Sequence, residues 1–477
     1  MLTILLFAIP LAFAALVAVS RDRRRRVQLV PFAAFVHLAL TAYVTITDAE
    51  TRTLAGWLEL DAFGRLVLPL LSVLFFACSL YLPSYLALRP NRPNRMFCAS
   101  MLVFLAMMTL ITESQHLGVM WVALEMNTLA SAPLLIFDRN SRSVEATWKY
   151  IMIGGVGIAL ALLGSFFLAY AQLASGHASL LFGDLVRFAP LMSRPWLEIA
   201  FVLLFVGYGT KMGLAPMHSW KPDAYGEAPG LVGALLAGGL TTCAFLALLR
   251  FYHINDAAGE GEFARNLMIV IGLVSMAVGA AFMIRQRDIK RMLAYSSVEH
   301  MGILVLGIGI GGLATYGALL HLINNALTKG VLFIAAANIH RAYGSKHVDV
   351  VTGAWRKVPV SGALFLAGFF AVTATPPFAP FISELAIVRG MFETGRYTIA
   401  AVFLGLIFIV FLGMGQTVLE VVQGTPPTDV PDTGYRDRLG TVGPALLLLA
   451  LIVLLGVYIP ADLDAMVHAA ADVLGKT

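Results

Sequence analysis

Apolar stretches of membrane-spanning length, separated by short polar connections, run along nearly the whole chain. A helix crosses the hydrocarbon layer in about 20 residues, and about fourteen stretches meet that length. They lie at 2–20, 28–46, 66–88, 96–113, 117–137, 149–174, 196–217, 230–252, 266–284, 291–311, 315–338, 358–392, 397–420 and 440–459. The pattern predicts an all-α integral membrane protein with about fourteen transmembrane helices and no soluble domain.

Proline interrupts two of these stretches, the seventh and the twelfth. The seventh meets Pro216 soon after Lys211, and the twelfth contains TPPFAP at 375–380. Proline removes a backbone donor and kinks a helix, so the freed backbone groups need partners in protein or water. Discontinuous helices at corresponding places in two halves are typical of inverted repeats around a transport site.

Charged residues in the two halves repeat at nearly the same interval. Glu125 precedes Glu299, and Lys211 precedes Glu384, by almost equal numbers of residues. We therefore predict two inverted five-helix repeats with broken helices 7 and 12. The predicted parts are a three-helix segment at 1–95, a first repeat at 96–252 (helices 4–8), a second repeat at 266–420 (helices 9–13), and a loop, helix 14 and a C-terminal tail at 421–477.

Basic residues alternate with the helices and predict the orientation of the chain. Connections after even-numbered helices carry acidic residues or few charges. Basic clusters follow odd-numbered helices, at 21–26, 89–95, 138–142, 285–291 and 340–357. The positive-inside rule then places both termini on the non-cytoplasmic side of the cell's inner (plasma) membrane. No basic segment precedes the first stretch, so we expect an uncleaved span rather than a signal peptide.

Composition agrees with this class and excludes others. Only 13% of the 477 residues are charged, about half the share of a soluble protein. The net charge of +5 comes from the loop clusters, so nucleic acid is not an expected partner. Cys78, Cys98 and Cys243 are scattered and predict neither disulfides nor a metal site. A GxGxxG at 307–312 lies within a span, where helix packing explains it better than a dinucleotide site.

Four charged residues lie deep in apolar stretches, namely Glu125, Lys211, Lys329 and Glu384. Each costs about 2.5–3.5 kcal/mol to insert, so a functional role is the default hypothesis. Several such groups in one membrane protein suggest a route for charge, and we interpret that charge as a proton. The alternatives are structural: a Lys211–Glu125 ion pair, a snorkelling Lys329, and a Glu384 that caps freed backbone donors.

Polar residues on helices ten and eleven extend this route. One face of helix eleven carries, at helical spacing, His321, Asn324, Asn325, Thr328 and Lys329. Such a stripe inside a bundle can hold a file of waters along which protons hop. On helix ten, Glu299 and His300 each stand four residues after a polar side chain. They are candidates for the same route, or else a local pair at the start of that helix.

Several segments together resemble a known family. KMGLAPMHSWKPDAYGEAP at 211–229 is similar to the signature of the antiporter-like proton-pumping membrane subunits shared by respiratory complex I, multisubunit cation/proton antiporters and membrane-bound hydrogenases. The same family is matched, in order, by LEMNTLASAPLL (124–135), DIKRMLAYSSVEHMGI (288–303), HLINNALTKGVLFIAAA (321–337) and PPFAPFISELAI (376–387). The resemblance spans about 96–420. Within it, SSVEHMG looks like the sequence of hydrogenase 4 component F.

The resemblance implies a subunit whose charged residues form a hydrated axis along the membrane midplane. It implies that Glu125 is the helix-five glutamate, Lys211 the broken-helix lysine, and Lys329 the helix-eleven lysine. Glu384 corresponds to the residue after the second break, which is lysine in some relatives and glutamate in others.

Position 242 departs from the family pattern. Relatives in complex I carry a central lysine in helix eight, where this chain has Thr242. Something else must bridge the halves, and our hypothesis is water held by Thr241 and Thr242, together with His321 or Glu299. The candidate proton pathway therefore comprises Glu125, Lys211, Thr242, Glu299, His300, His321, Asn325, Lys329 and Glu384.

The resemblance favours a proton-translocating subunit of a hydrogenase-4 or complex I-like redox complex, which couples electron transfer in partner subunits to proton movement. It implies no cofactor in this chain; Fe–S clusters, and a NiFe centre or a quinone site, belong to membrane and peripheral partner subunits. Two alternative functions are compatible with the same fold. They are a proton-conducting partner of an inorganic-carbon uptake protein, and a subunit of a multisubunit cation/proton antiporter. A membrane-embedded enzyme is least favoured, because no exposed loop holds a catalytic constellation.

Overall fold

The computed structural model describes residues 2–47, 52–427 and 433–475, which fold almost entirely into helices. In chain order these are α1 (Leu2–Val19), α2 (Arg23–Ile46), α3 (Ala62–Ala87), α4 (Arg95–Glu113), α5 (Leu117–Leu135), α6 (Ser141–Gln172), α7 (Phe182–Phe188), α8 (Arg194–Met212), α9 (Trp220–Glu227), α10 (Gly230–Leu235), α11 (Thr241–Ala257), α12 (Gly261–Met283), α13 (Ile289–Ile310), α14 (Leu313–Tyr343), α15 (Ala354–Lys357), α16 (Pro359–Val372), α17 (Ala379–Glu393), α18 (Tyr397–Val422), α19 (Leu439–Val457) and α20 (Ala461–Gly475). A π-helical turn, Leu236–Leu240, joins α10 and α11 into one continuous span.

Within the described ranges, twelve helices are long and apolar enough to cross a membrane. The two further spans expected from the sequence are the broken ones, α8 with α9 and α16 with α17. The prediction of an all-α membrane protein with two interrupted helices is therefore confirmed. Part of the predicted loop after helix thirteen, 428–432, lies outside the described residues.

The sixth transmembrane helix begins before its apolar stretch, because a capping box stabilises an earlier start. The apolar stretch begins at 149, but α6 begins at Ser141. The side chain of Asn140 accepts from the backbone N–H of Ser143 at 2.6 Å, and the Ser143 hydroxyl accepts from the Asn140 N–H at 3.1 Å. This capping box satisfies two backbone donors and lets the helix start among polar residues.

The predicted C-terminal tail is a helix, α20, rather than an irregular segment. It packs against α3 and α14, and the Tyr316 hydroxyl donates to Asp464 at 2.7 Å. Buried Val467, Ala470 and Leu474 form its inner face. The sequence interpretation missed this helix because acidic residues interrupt its apolar positions, so no membrane-length run is present.

Helices α11, α13 and α14 form the interior of the bundle. Every residue in the apolar part of these spans is buried, compared with 28% in α1 and 33% in α2. Burial on all sides is typical of a central helix. Since α14 also contacts α16, α17 and α19, its polar stripe is enclosed by protein rather than lipid.

Glycines allow two helix pairs to approach closely. A Cβ added at Gly207 on α8 would lie 2.6 Å from the carbonyl oxygen of Gly157 on α6. A Cβ at Gly302 on α13 would lie 2.6 Å from the carbonyl oxygen of Gly272 on α12. Gly307 packs in the same way against Ala318. Small residues at such interfaces are typical of membrane helices. Within the GxGxxG sequence, Gly307 and Gly309 belong to this packing, whereas Gly312 lies in the turn between α13 and α14 rather than within a span.

Candidate functional site

The first helix break is held open by specific side chains. α8 ends at Met212, and Gly213 follows in the left-handed conformation with φ 80°, which glycine adopts without steric cost. The Trp220 indole N–H donates to the carbonyl of Thr210 at 2.8 Å, and the Ser275 hydroxyl accepts from the backbone N–H of Ala215 at 3.0 Å. Freed backbone groups therefore find partners within the protein, as a break at membrane depth requires.

Lys211, one residue before this break, is brought into contact with Glu125. Its Nζ donates to Glu125 Oε2 at 3.0 Å and to the Thr128 hydroxyl at 2.6 Å. The Lys211 side chain is 1% exposed, whereas the Glu125 side chain is 25% exposed. One end of the pair is thus enclosed, and the other reaches the outer face of the chain.

A small polar cluster surrounds the Lys211 ammonium group. The Ser131 hydroxyl donates to the carbonyl of Thr128 at 2.8 Å and lies 2.7 Å from the Tyr150 hydroxyl. On the other side, a Cβ added at Gly154 would lie 3.1 Å from Lys211 Nζ. The ammonium therefore faces hydroxyl groups on α5 and α6 and bare backbone on α6.

In the second half, Lys329 takes a corresponding buried position on α14. Its Nζ donates to the Ser296 hydroxyl at 2.6 Å. The buried carboxylate of Glu299 interacts with it electrostatically. Glu299 and His300 both lie well inside α13, so they are not a pair at the start of a helix.

A chain of hydrogen bonds leads from α13 to the second broken helix. His300 Nδ1 lies 2.9 Å from His321 Nε2, and His321 Nδ1 lies 3.0 Å from the Ser383 hydroxyl. The Asn324 amide donates to Ser383 at 3.2 Å and to the carbonyl of Ala379 at 2.9 Å. Ser383 directly precedes Glu384, so the structure connects α13, α14 and α17 at this point.

Glu384 completes the group of buried titratable side chains. Its carboxylate and one ring nitrogen from each of His300 and His321 lie within 4.8 Å of one another. These are ligand types that a transition metal accepts. Both ring nitrogens of His321 already have hydrogen-bonding neighbours, however, so the arrangement suits proton exchange better than coordination.

The remaining predicted residues, Thr242 and Asn325, are buried, but within the described ranges their side chains form no hydrogen bond to another helix. The Thr242 hydroxyl donates to the carbonyl of Gly238 at 2.7 Å, and that of Thr241 donates to Ala237 at 2.6 Å. Their hydroxyl hydrogens are therefore used within their own helix, beside the π-helical turn. Asn325 is buried, and its Oδ1 has no hydrogen-bond partner in the described parts of the chain.

Among the described residues, two charged residues at 0% exposure were not candidates in the sequence analysis. Lys221 on α9 is 0% exposed, and so is Glu113 at the end of α4. Neither carboxylate oxygen of Glu113 has a hydrogen-bond partner among the residues described. Lys221 lies in MHSWKPDAYGE, whose polar composition resembles a loop, so only its place in the family signature could have indicated it.

Charged residues also line a cleft of about 650 Å³ beside α9. Asp223 forms ion pairs with Lys149 at 2.9 Å and with Arg291 at 3.1 Å. Lys346 pairs with Glu227 at 2.8 Å and with Asp288 at 3.0 Å. These pairs hold α9 against α6, α13 and the loop after α14, and they place the cleft next to the helix that carries Lys221.

Comparison with known proteins gives relatives in several respiratory complexes. Residues 114–410 match the family described as NADH:quinone oxidoreductase/Mrp antiporter, TM. A hydrogenase-4 component F homolog of Methylacidiphilum infernorum (isolate V4) is 36% identical over 320 residues, which are 66% of this chain and 66% of that protein. NADH-quinone oxidoreductase subunit N of Desulforudis audaxviator (strain MP104C) is 32% identical over 417 residues, which are 84% of this chain and 81% of that protein.

Solved structures show the same fold. A chain of the Mrp complex from Dietzia sp. DQ12-45-1b superposes with a TM-score of 0.87 at 20% identity, covering 100% of this chain and 97% of that one. A chain of respiratory complex I from Thermus thermophilus with bound NADH gives a TM-score of 0.82 at 22% identity, covering 100% of both chains. These similar chains belong to multisubunit membrane assemblies.

Proposed function

Because the chain belongs to the NADH:quinone oxidoreductase/Mrp antiporter family, we propose that it translocates protons as a membrane subunit of a hydrogenase-4 or complex I-like redox complex. Electron transfer takes place in partner subunits, which hold the Fe–S clusters and the NiFe centre or quinone site. This chain supplies the proton path, through half-paths in the units 96–252 and 266–420.

The observation that carries the proposal is the contact between Lys211 and Glu125. A buried ammonium group is stabilised by a carboxylate 3.0 Å away and is costly without it. Approach of Glu125 therefore favours proton uptake by Lys211, and its withdrawal favours release. Glu125 is partly exposed on the outer face, so a neighbouring subunit that moves with the redox cycle can shift it.

The second half provides the onward path. Lys329, bonded to Ser296, lies close to Glu299, and the His300–His321–Ser383 chain leads to Glu384. Moving one charge against 100 mV costs about 2.3 kcal/mol, which corresponds to less than about two pKa units. A modest change at the Lys211–Glu125 contact is therefore enough to drive the transfer, and Glu384 releases the proton on the non-cytoplasmic side.

The hydrogenase-4 assignment is supported by the name of the Methylacidiphilum relative. A cation/proton antiporter subunit is the second candidate, because the fold superposes well on a chain of an Mrp complex. Purification of the complex through a tag on this chain separates the two. Redox subunits that copurify support the first, and small antiporter subunits without redox centres support the second.

The test of proton translocation uses that purified complex in liposomes. We expect Lys211→Ala and Glu125→Gln each to lower proton translocation at least about tenfold, equivalent to about 1.4 kcal/mol, while both variants still assemble. Ser165→Ala is a suitable control, since within the described part of the chain its buried hydroxyl bonds only to the carbonyl of Ala161 in its own helix. Normal translocation by either pathway variant would refute the proposed roles.

A further inference from the structure

We infer that Lys221 is a titrating group that passes protons between the Lys211 half of the chain and the Lys329 half. This inference rests on the proposed proton translocation and adds the link between the two half-paths. It concerns a residue on the second arm of the broken helix, α9.

The Lys221 side chain is fully buried and points back across the helix break. Its Nζ donates to the carbonyl of Met212 at 2.8 Å and lies 3.4 Å from the carbonyl of Ser297. Gly213 makes room for it, since a Cβ there would lie 2.6 Å from Lys221 Cδ. The break therefore creates the space that the lysine occupies.

These two contacts place Lys221 between the halves. Met212 follows Lys211 directly, and Ser297 follows Ser296, whose hydroxyl accepts the hydrogen bond of Lys329. The charged and titratable groups that interact electrostatically with Lys221 are Lys329, His300 and His218. Lys221 is thus coupled to the second half while it contacts the backbone next to Lys211.

Lys221 lacks the ion pair that several other buried or half-buried cations form. Lys211 pairs with Glu125, Arg250 with Asp61, and Lys346 with Glu227. Within the described ranges, no carboxylate lies within 4.0 Å of Lys221, whose hydrogen-bond acceptors are backbone carbonyls. A buried ammonium without a counter-charge is costly and tends to give up its proton. Lys221 can therefore alternate between ammonium and amine.

The transfer leaves Lys221 unchanged after each cycle. Its amine takes up one proton released by the Lys211 ammonium, and the resulting Lys221 ammonium gives up one proton towards Lys329. Backbone carbonyls do not relay protons, so hydroxyl groups or water must connect the steps. The Tyr225 ring lies 5.7 Å from Lys221 Nζ, and within the described ranges neither the Tyr225 hydroxyl nor the Ser297 hydroxyl has a hydrogen-bond partner. These two hydroxyls are suitable carriers on the side of the second half.

The competing explanation is structural. Met212 ends α8, so its carbonyl lacks a partner within the helix, and Lys221 satisfies it. Arginine separates the two explanations, because it donates hydrogen bonds equally well but cannot be deprotonated in a protein. A structural donor tolerates arginine, whereas a titrating carrier does not.

The experiment measures redox turnover and proton translocation of the whole complex in liposomes for Lys221→Arg and Lys221→Met. Lys290→Arg is the matched control, since Lys290 is also buried and donates to a backbone carbonyl, that of Ala228, at 2.9 Å. We expect assembled Lys221→Arg and Lys221→Met complexes that translocate protons at least about tenfold more slowly, while Lys290→Arg is unaffected.

Translocation by Lys221→Arg at the rate of the unmodified complex would overturn the inference, because donation to Met212 would then suffice. If the arginine variant does not assemble, Lys221→Met decides through both readouts: normal translocation overturns the inference, and so does an equal loss of redox turnover and translocation, whereas lost translocation with retained redox turnover supports it. Failure of both to assemble would make Lys221 a structural residue and would also overturn it. Lys211→Ala, measured in parallel, distinguishes this outcome from failure of the proposed function. If Lys211→Ala loses translocation, the proposed function is supported even when the Lys221 variants overturn the inference about Lys221.

Discussion

Buried cations in this chain fall into two chemical types at the residue scale. Arg250 donates to both Asp61 oxygens, at 2.9 and 3.0 Å, and to the carbonyls of Ile111 and Thr112, at 3.1 and 2.8 Å. An arginine stays protonated, so this group anchors α11 to α4 and to the start of α3. Lys211, by contrast, can lose its proton, so in the proposed function a similar ion pair acts as a switch.

We expect Arg250→Leu to lower the free energy of unfolding by about 3–5 kcal/mol, because it leaves Asp61 and two carbonyls without their buried partner. Thermal or detergent-induced unfolding of the purified complex measures the change. Arg389→Ala removes an exposed pair with Glu393 and should cost no more than about 1 kcal/mol. Equal effects of the two substitutions would contradict the anchoring role.

At the scale of elements, the two helix breaks determine which side-chain contacts the candidate residues make. The break after α8 exposes the carbonyls of Thr210 and Met212 to Trp220 and Lys221. The break before α17 brings Ser383 to His321. In an unbroken helix the backbone groups would be satisfied internally, and these side-chain contacts would not form. Each half of the proposed path therefore contains one interruption.

Close packing of α6 on α8 positions the helix that carries Lys211, and α6 also contacts α5, the helix that carries Glu125. A Cβ at Gly207 would lie 2.6 Å from Ala161 N, whereas a Cβ at Gly155 meets nothing within 4 Å. We expect Gly207→Ala to cost about 1–3 kcal/mol of stability through overpacking, and Gly155→Ala to be tolerated. Thermal unfolding of the two variants checks this, and equal midpoints would show that the two helices can separate freely.

On the scale of the whole molecule, apolar side chains cover the outer surface of the bundle. Phe32, Phe35, Trp148, Phe166 and Phe408 are among the large exposed ones. An apolar exterior around a polar interior is the arrangement that a bilayer requires. It does not determine which end faces the cytoplasm, and the basic loops predict that orientation through the positive-inside rule.

We expect both termini on the non-cytoplasmic side, which cysteine labelling tests. Cys78, Cys98 and Cys243 are buried, so they give little background. The test uses cells whose outer layer has been removed and whose inner membrane is intact. In these cells a membrane-impermeant maleimide should label His177→Cys, and it should label Ser141→Cys only after permeabilisation. Both positions are exposed in this chain. The reverse pattern would invert the orientation and the direction of the proposed path.

Most of the membrane architecture could be predicted because its causes are local. Twenty apolar residues insert as a helix whatever their neighbours are. The prolines at 216 and 376–377 coincide with the two breaks, although Pro69 and Pro133 lie inside unbroken helices. Helix ends were less predictable. The Asn140 cap extends α6, and α20 has no membrane-length apolar run, so apolar length alone does not indicate either.

Lys211, Lys329, Glu125 and Glu384 could be identified from the sequence by itself, because a charge inside an apolar stretch is conspicuous and its insertion cost is a property of that stretch. Only the tertiary structure decided that Lys221 is buried, that His321 lies between His300 and Ser383, and that Thr242 bonds within its own helix. These facts depend on how helices far apart in the chain rotate and pack against one another, and no single segment contains that information.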